Sequence, residues 1–221
     1  IVFINDNESR WNDDEKSFFI ERKFLPSLNF IAKSAESYGA EAETRYTVCN
    51  ITAEYDGFFE ADTVTNGGQQ DIFTQTASSL GYETPEDMND ALKKELKVKQ
   101  VAYLLVVNKE GRSYKQAYSQ SSIERKYEFC VFFDDSVTVS GNSCSSTVAH
   151  EILHLFGAED LYDPYGRYPQ REKLAQELFP EDIMNKGFSD INDAVVGEYT
   201  AYSVGWTDEL PEECNRPEWW K

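Results

Sequence analysis

Apolar and polar positions along the chain fall into runs that predict alternating strands and helices. Ile1 to Ile4 is wholly apolar and predicts a short strand. Over 13–38, Phe18, Phe19, Phe24, Leu25, Leu28, Ile31, Ala32 and Ala35 recur at roughly helical spacing. Asn12-Asp13 offers that helix a cap, Gly39 ends it, and Pro26 should kink or split it. Residues 44–55 are rich in β-branched and aromatic side chains and read as a strand. Asn66-Gly67-Gly68 reads as a turn, 71–80 as a helix, and Thr84-Pro85 as the cap and first position of another helix reaching about Lys97. Val101 to Val107 is continuously apolar, as an inner parallel strand covered on both faces would be. Beyond a turn at Gly111, the more polar stretch 113–119 suits a sheet edge, and 127–133 is a second inner strand. Ser143 to Ser146 then caps a helix over 144–156, followed by a turn at 163–166, a short helix over 170–178 and a final helix over 189–204 that Gly205 closes.

The helix over 144–156 holds the two histidines of the chain, His150 and His154. Four residues apart, they project from one helix face about one turn, ~5.4 Å, apart, which lets two imidazole nitrogens bind one metal ion. Glu151 lies about 100° round the helix, badly placed as a ligand but able to reach a water on the metal. This is the H-E-x-x-H arrangement of zinc hydrolases. A catalytic zinc needs three protein ligands and one open position. Gly157 can take the left-handed conformation that ends a helix sharply. If the chain doubles back there, Asp160 comes under the metal and Glu159 points away. The competing third ligand is Glu198, on the final helix.

Residues 150–160 resemble the extended zinc motif of the metzincin metallopeptidases, H-E-x-x-H-x-x-G-x-x-H, with aspartate in the third ligand place, as in the snapalysin-like enzymes. The resemblance implies His150, His154 and Asp160 as ligands of one catalytic Zn2+, Glu151 as general base, and Met184, in Asp182-Ile183-Met184-Asn185-Lys186, as the methionine turn beneath the metal. It implies an α/β (α+β) fold: a twisted, mostly parallel five-stranded sheet with an antiparallel edge strand at 113–119 that holds extended peptide, an active-site helix, and a smaller, mainly helical C-terminal lobe. One catalytic domain over 1–221 would divide into 1–157 and 158–221. Some metzincins carry a tyrosine two places after the methionine; here that place is Lys186, and Tyr162, Tyr165 and Tyr202 are alternatives. The stretch 56–100 is longer than a minimal member needs.

The implied activity is metalloendopeptidase chemistry on a protein or peptide substrate. Two other readings fit the motif: a zinc amidase acting on a non-peptide substrate, and a non-catalytic zinc-containing binding module.

Composition narrows the partners. A net charge of −19 disfavours nucleic acid, because phosphate binding needs basic surface. No apolar run approaches the ~20 residues of a membrane span. Asp134-Asp135 after an inner strand could bind Ca2+ or form a solvated turn. Cys49, Cys130, Cys144 and Cys214 contain no C-x-x-C pair; they suit one or two disulfides in a secreted, extracellular protein, or four buried thiols.

Overall fold

The computed structural model describes residues 1–6, 9–52, 69–109, 114–116, 127–134, 145–163 and 166–220. They form a mixed α/β structure in two compact units: Ile1–Phe19 with Thr44–Ser143, and Ile20–Glu43 with Cys144–Lys221. The sequence suggests a boundary after Gly157, whereas here the histidine helix and everything after it lie in one unit.

The first unit is built on a sheet of β1 (Val2–Asn5), β2 (Cys49–Thr52), β3 (Ala102–Val107), β4 (Tyr114–Gln116) and β5 (Glu128–Phe133) in the order β2-β1-β3-β5-β4. The first four in that order run parallel, and the three residues of β4 pair antiparallel with Val131, Cys130 and Phe129 of β5. The three inner strands, β1, β3 and β5, are largely apolar because both faces are covered. Val2, Ile4, Leu105, Val107, Phe129, Val131 and Phe133 join Phe73, Ala77, Met88 and Leu92 in one core. On the alternate positions, Phe3 packs edge-on against Trp11 and Phe19, and Phe19 lies tilted against Phe132. The expected strand over 44–55 shrinks to Cys49–Thr52 in its described part, because its partner β1 offers four residues to pair with.

Helices α3 (Gln69–Ser79) and α4 (Pro85–Leu96) belong to this unit. Thr84 caps α4 as expected, accepting the Asp87 N–H at 3.1 Å. Asn12 and Glu15 form a reciprocal capping box before α1 (Asp13–Phe19), each side chain accepting the other's N–H at 2.9 Å.

The second unit begins with a π-helical turn, Ile20–Phe24, leading into α2 (Leu25–Ser37). Pro26 sits in the first turn of α2 and returns no N–H to the turn before it, and the widened turn accommodates that loss. Ser27 Oγ lies 2.6 Å from both Lys23 O and Ser145 O, tying α2 to the start of the histidine helix α5 (Ser145–Leu155). Then come α6 (Pro169–Leu178) and α7 (Glu198–Ser203).

The expected helix over 189–204 is not present as such. Asp190 caps a 3-10 turn at Ile191–Asp193, Val195 bridges to Asp182, and helix resumes only at Glu198. The aromatic C-terminal segment packs inward: Trp219 is buried, edge-on to Tyr199 at 4.7 Å and Phe179 at 5.8 Å. No helix among the described residues is long and apolar enough to cross a membrane.

Candidate metal centre

Helix α5 is buried on most sides: Val148, Ala149, Glu151, Ile152, Leu153 and His154 are all shielded from solvent. Such a helix presents polar groups only where something receives them. The two rings lie 4.6 Å apart, centroid to centroid, as the four-residue spacing requires.

The helix ends where the sequence places its stop. Gly157 adopts φ +108°, and the N–H groups of Phe156, Gly157 and Ala158 return to Leu153, His154 and Leu153. This closed bend turns the chain back, and Asp160 arrives beneath the histidines. Its Oδ1 lies 3.2 Å from His150 Nε2 and 3.1 Å from His154 Nε2. His150, His154 and Asp160 thus form a group that could hold a metal ion, with ligand atoms all within 4.8 Å of one another. Donors around a tetrahedral ion at ~2.0–2.1 Å are ~3.3–3.4 Å apart, so a small outward movement of Asp160 accommodates one. Glu198, the rival third ligand, is exposed at the start of α7 and is not part of this group.

The far nitrogen of each ring is committed to the backbone. His150 Nδ1 is 2.9 Å from Ile183 O, and His154 Nδ1 is 2.8 Å from Ala158 O. A carbonyl only accepts, so each Nδ1 carries the proton and each Nε2 faces Asp160. Burial lowers the His150 imidazole, but Asp160, Glu151 and the Ile183 carbonyl outweigh it and raise its pKa above the ordinary value. Burial raises the Asp160 carboxyl, but hydrogen bonds and charge from both imidazoles hold it well below the usual carboxylate range. The Asp160 side chain keeps 30% of its exposure, while the Oδ1 that meets the histidines is shielded from solvent.

No family model matches the chain, and no curated protein matches it either. The geometry therefore stands on its own.

Glu151 is buried on the same helix and close enough to His150 to favour its protonated form. Met184 is fully buried; its carbonyl accepts the Leu161 N–H at 2.8 Å, so the 182–185 turn is tied to the chain just past Asp160. Glu159 points away, as expected, and pairs with Arg171 at 2.7 Å. Tyr162 lies nearly parallel to the His150 ring, 6.2 Å away. Lys186 sits over the Phe188 ring, Tyr202 is exposed, and Tyr165 is outside the described residues.

Asp134 is buried at the end of β5 and Asp135 is outside the described residues, so the acid pair forms no cation group among those described. Cys49 and Cys214 are free thiols, Cys130 is buried in β5, and Cys144 is outside the described residues.

The residues that sequence reasoning missed are those that hold the histidines. Ile183 and Ala158 act through main-chain carbonyls, which leave no trace in residue type. Asp182 looks like any acid of an acidic chain, yet it is wholly buried, and burial raises its carboxyl while the Met184 and Gly197 N–H groups pull it back.

Proposed function

We propose that the protein is a zinc-dependent metalloendopeptidase of metzincin type. The observation that carries this reading is the meeting of His150, His154 and Asp160, with both Nδ1 atoms engaged by carbonyls and the three ligand atoms gathered on one side. Two borderline nitrogens and one carboxylate oxygen are a donor set that suits zinc. Three ligands among the described residues, rather than the four of a closed structural site, favour an enzyme over a binding module.

Zinc bound there would supply Lewis acidity, polarising a water and the carbonyl under attack. Glu151 takes the proton from the attacking water and passes it to the leaving amine. The carbonyls of Ile183 and Ala158 accept the Nδ1 proton of each ring, which leaves Nε2 as the atom for the metal and fixes both rings in direction. Asp160 adds a negative charge that offsets the charge of the ion. Met184 provides the buried floor.

A peptide-library digest with and without a chelator, beside Glu151→Gln, tests the proposal. Cleavage should require metal, and Glu151→Gln should lower kcat by about 10²–10⁴-fold while metal content is retained. Bound zinc with no peptide cleaved by the wild-type protein would overturn the endopeptidase reading, and preference for a non-peptide amide would favour the amidase.

A further inference from the structure

Asp182 opens the turn that carries Met184 and is entirely shielded from solvent. A buried carboxylate persists only where donors meet it. Here Oδ1 accepts the Met184 N–H at 2.8 Å and Oδ2 accepts the Gly197 N–H at 2.9 Å. The carboxylate thus joins two backbone segments fifteen residues apart in sequence. The main chain closes around it: the Asn185 N–H returns to Asp182 O at 2.9 Å, Ile183 N–H donates to Val195 O at 2.8 Å, and Val195 N–H donates to Glu181 O at 2.9 Å.

Gly197 fits this arrangement for a reason other than conformational freedom. Its φ of −74° and ψ of 172° suit any residue. A Cβ at that position, however, would lie 2.6 Å from Asp182 Oδ2. The glycine is explained by the close approach of the carboxylate.

What the closed turn delivers is the direction of one carbonyl. Ile183 O, between Asp182 and Met184, receives His150 Nδ1 at 2.9 Å. His154 takes its acceptor from Ala158, on a different segment.

We propose that Asp182 is a positioning residue of the metal centre: its carboxylate draws the 182–185 turn and the Gly197 backbone together, and so fixes the Ile183 carbonyl that orients His150. The proposal rests on the metal site of the preceding section. It differs from simple stapling of a turn, because it assigns Asp182 an effect on one histidine and not on the other.

Asp182→Asn keeps the shape but retains a single acceptor oxygen, so an amide NH2 must face one of the two N–H donors. The two imidazoles are read by 15N histidine NMR on the metal-free protein, below its melting temperature. Wild type should show two protected Nδ1–H signals. The variant should lose that of His150 and keep that of His154. Titration with Co2+, and with Zn2+ in competition, should show affinity about 10–100-fold weaker, the usual consequence of losing an outer partner of a ligating histidine. Gly197→Ala, which keeps the charge but displaces the carboxylate, should move both readouts the same way and serves if Asp182→Asn does not fold.

A folded variant that keeps the His150 signal and wild-type affinity overturns the proposal. So does loss of both histidine signals together, which would mean general loosening. If wild type binds neither metal, the enzyme reading fails, and the NMR comparison still decides whether Asp182 orients His150.

Discussion

His154 holds the carbonyl of Ala158 at 2.8 Å, across the bend that Gly157 makes with φ +108°. The same bend brings Asp160 to within 3.1 Å of that histidine's other nitrogen. One backbone conformation thus supplies both the acceptor behind the ring and the carboxylate in front of it. A Cβ at Gly157 would stand in the left-handed region and 3.3 Å from Ser203 O. Gly157→Ala should cost about 1–3 kcal/mol of stability and weaken metal binding as well. Denaturant melts and a Zn2+ titration check it, and unchanged affinity in the folded variant would separate the bend from the site.

Asp160 and Glu198 make opposite claims on the metal. Asp160→Ala should lose bound zinc, while Glu198→Ala, at an exposed helix start, should keep it at wild-type stoichiometry. Metal analysis after dialysis decides. Retention by Asp160→Ala would remove the aspartate from the ligand set.

Asp160→His exchanges a charged ligand for a neutral one and should strengthen the zinc as a Lewis acid. The acidic limb of kcat/KM should then move to lower pH than in the wild-type protein. An unmoved limb contradicts the charge argument.

Metal-free and zinc-loaded protein should respond to pH with opposite signs. His150 is raised above 6.5 in the fold, so it contributes stability that is present below 6.5 and lost as pH rises through its folded value. Asp160 is depressed below 3.8, so its contribution is present above 3.8 and lost as pH falls through its folded value. Zinc competes with the proton on His150 and must displace it. The rise in Tm on adding zinc should therefore be small near about pH 5 and grow above pH 6.5. Paired melts with and without chelator measure it; a shift constant over that range would show that no proton is displaced.

Arg171 and Glu159 pair at 2.7 Å but carry unequal weight. The arginine is mostly buried and lies 5.6 Å over the rings of both Tyr199 and Trp219, whereas Glu159 is 57% exposed. Arg171→Ala should cost about 2–3 kcal/mol through lost packing and cation–π contact, and Glu159→Gln less than about 1. Arg171→Lys should recover little, since an ammonium cannot stack on two rings. Equal losses at the two positions in chemical denaturation would contradict this.

What could be read in advance was what periodicity encodes. The spacing of His150 and His154 fixes them on one helix face, and the apolar runs at Val101–Val107 and Tyr127–Phe133 lead to β3 and β5. Asp160 was legible only through Gly157, because a glycine is the residue that ends a helix by reversing the chain. The stretch 189–204 misled because its apolar spacing suits a helix, while one local cap and two tertiary contacts prevent one. Asp190 caps a 3-10 turn, Val195 pairs with Asp182, and the Gly197 N–H is taken by a buried carboxylate. The last two join residues thirteen and fifteen apart in sequence, so no short window of sequence contains them.

The acceptors behind both histidines are main-chain oxygens, and this bears on how the sequence can drift. Substitution at Ala158 or Ile183 replaces a side chain and leaves the carbonyl in place. Both positions are buried, so size limits the exchange. Within that limit the histidines' partners are immune to point mutation, and damage must come indirectly, through residues that steer the backbone. Random mutagenesis scored by metal retention should therefore be tolerant of small apolar exchanges at 158 and 183 and intolerant at the glycines 157 and 197. Beyond the three ligands themselves, a map of that kind would place the site's most sensitive positions where no side chain touches the ion.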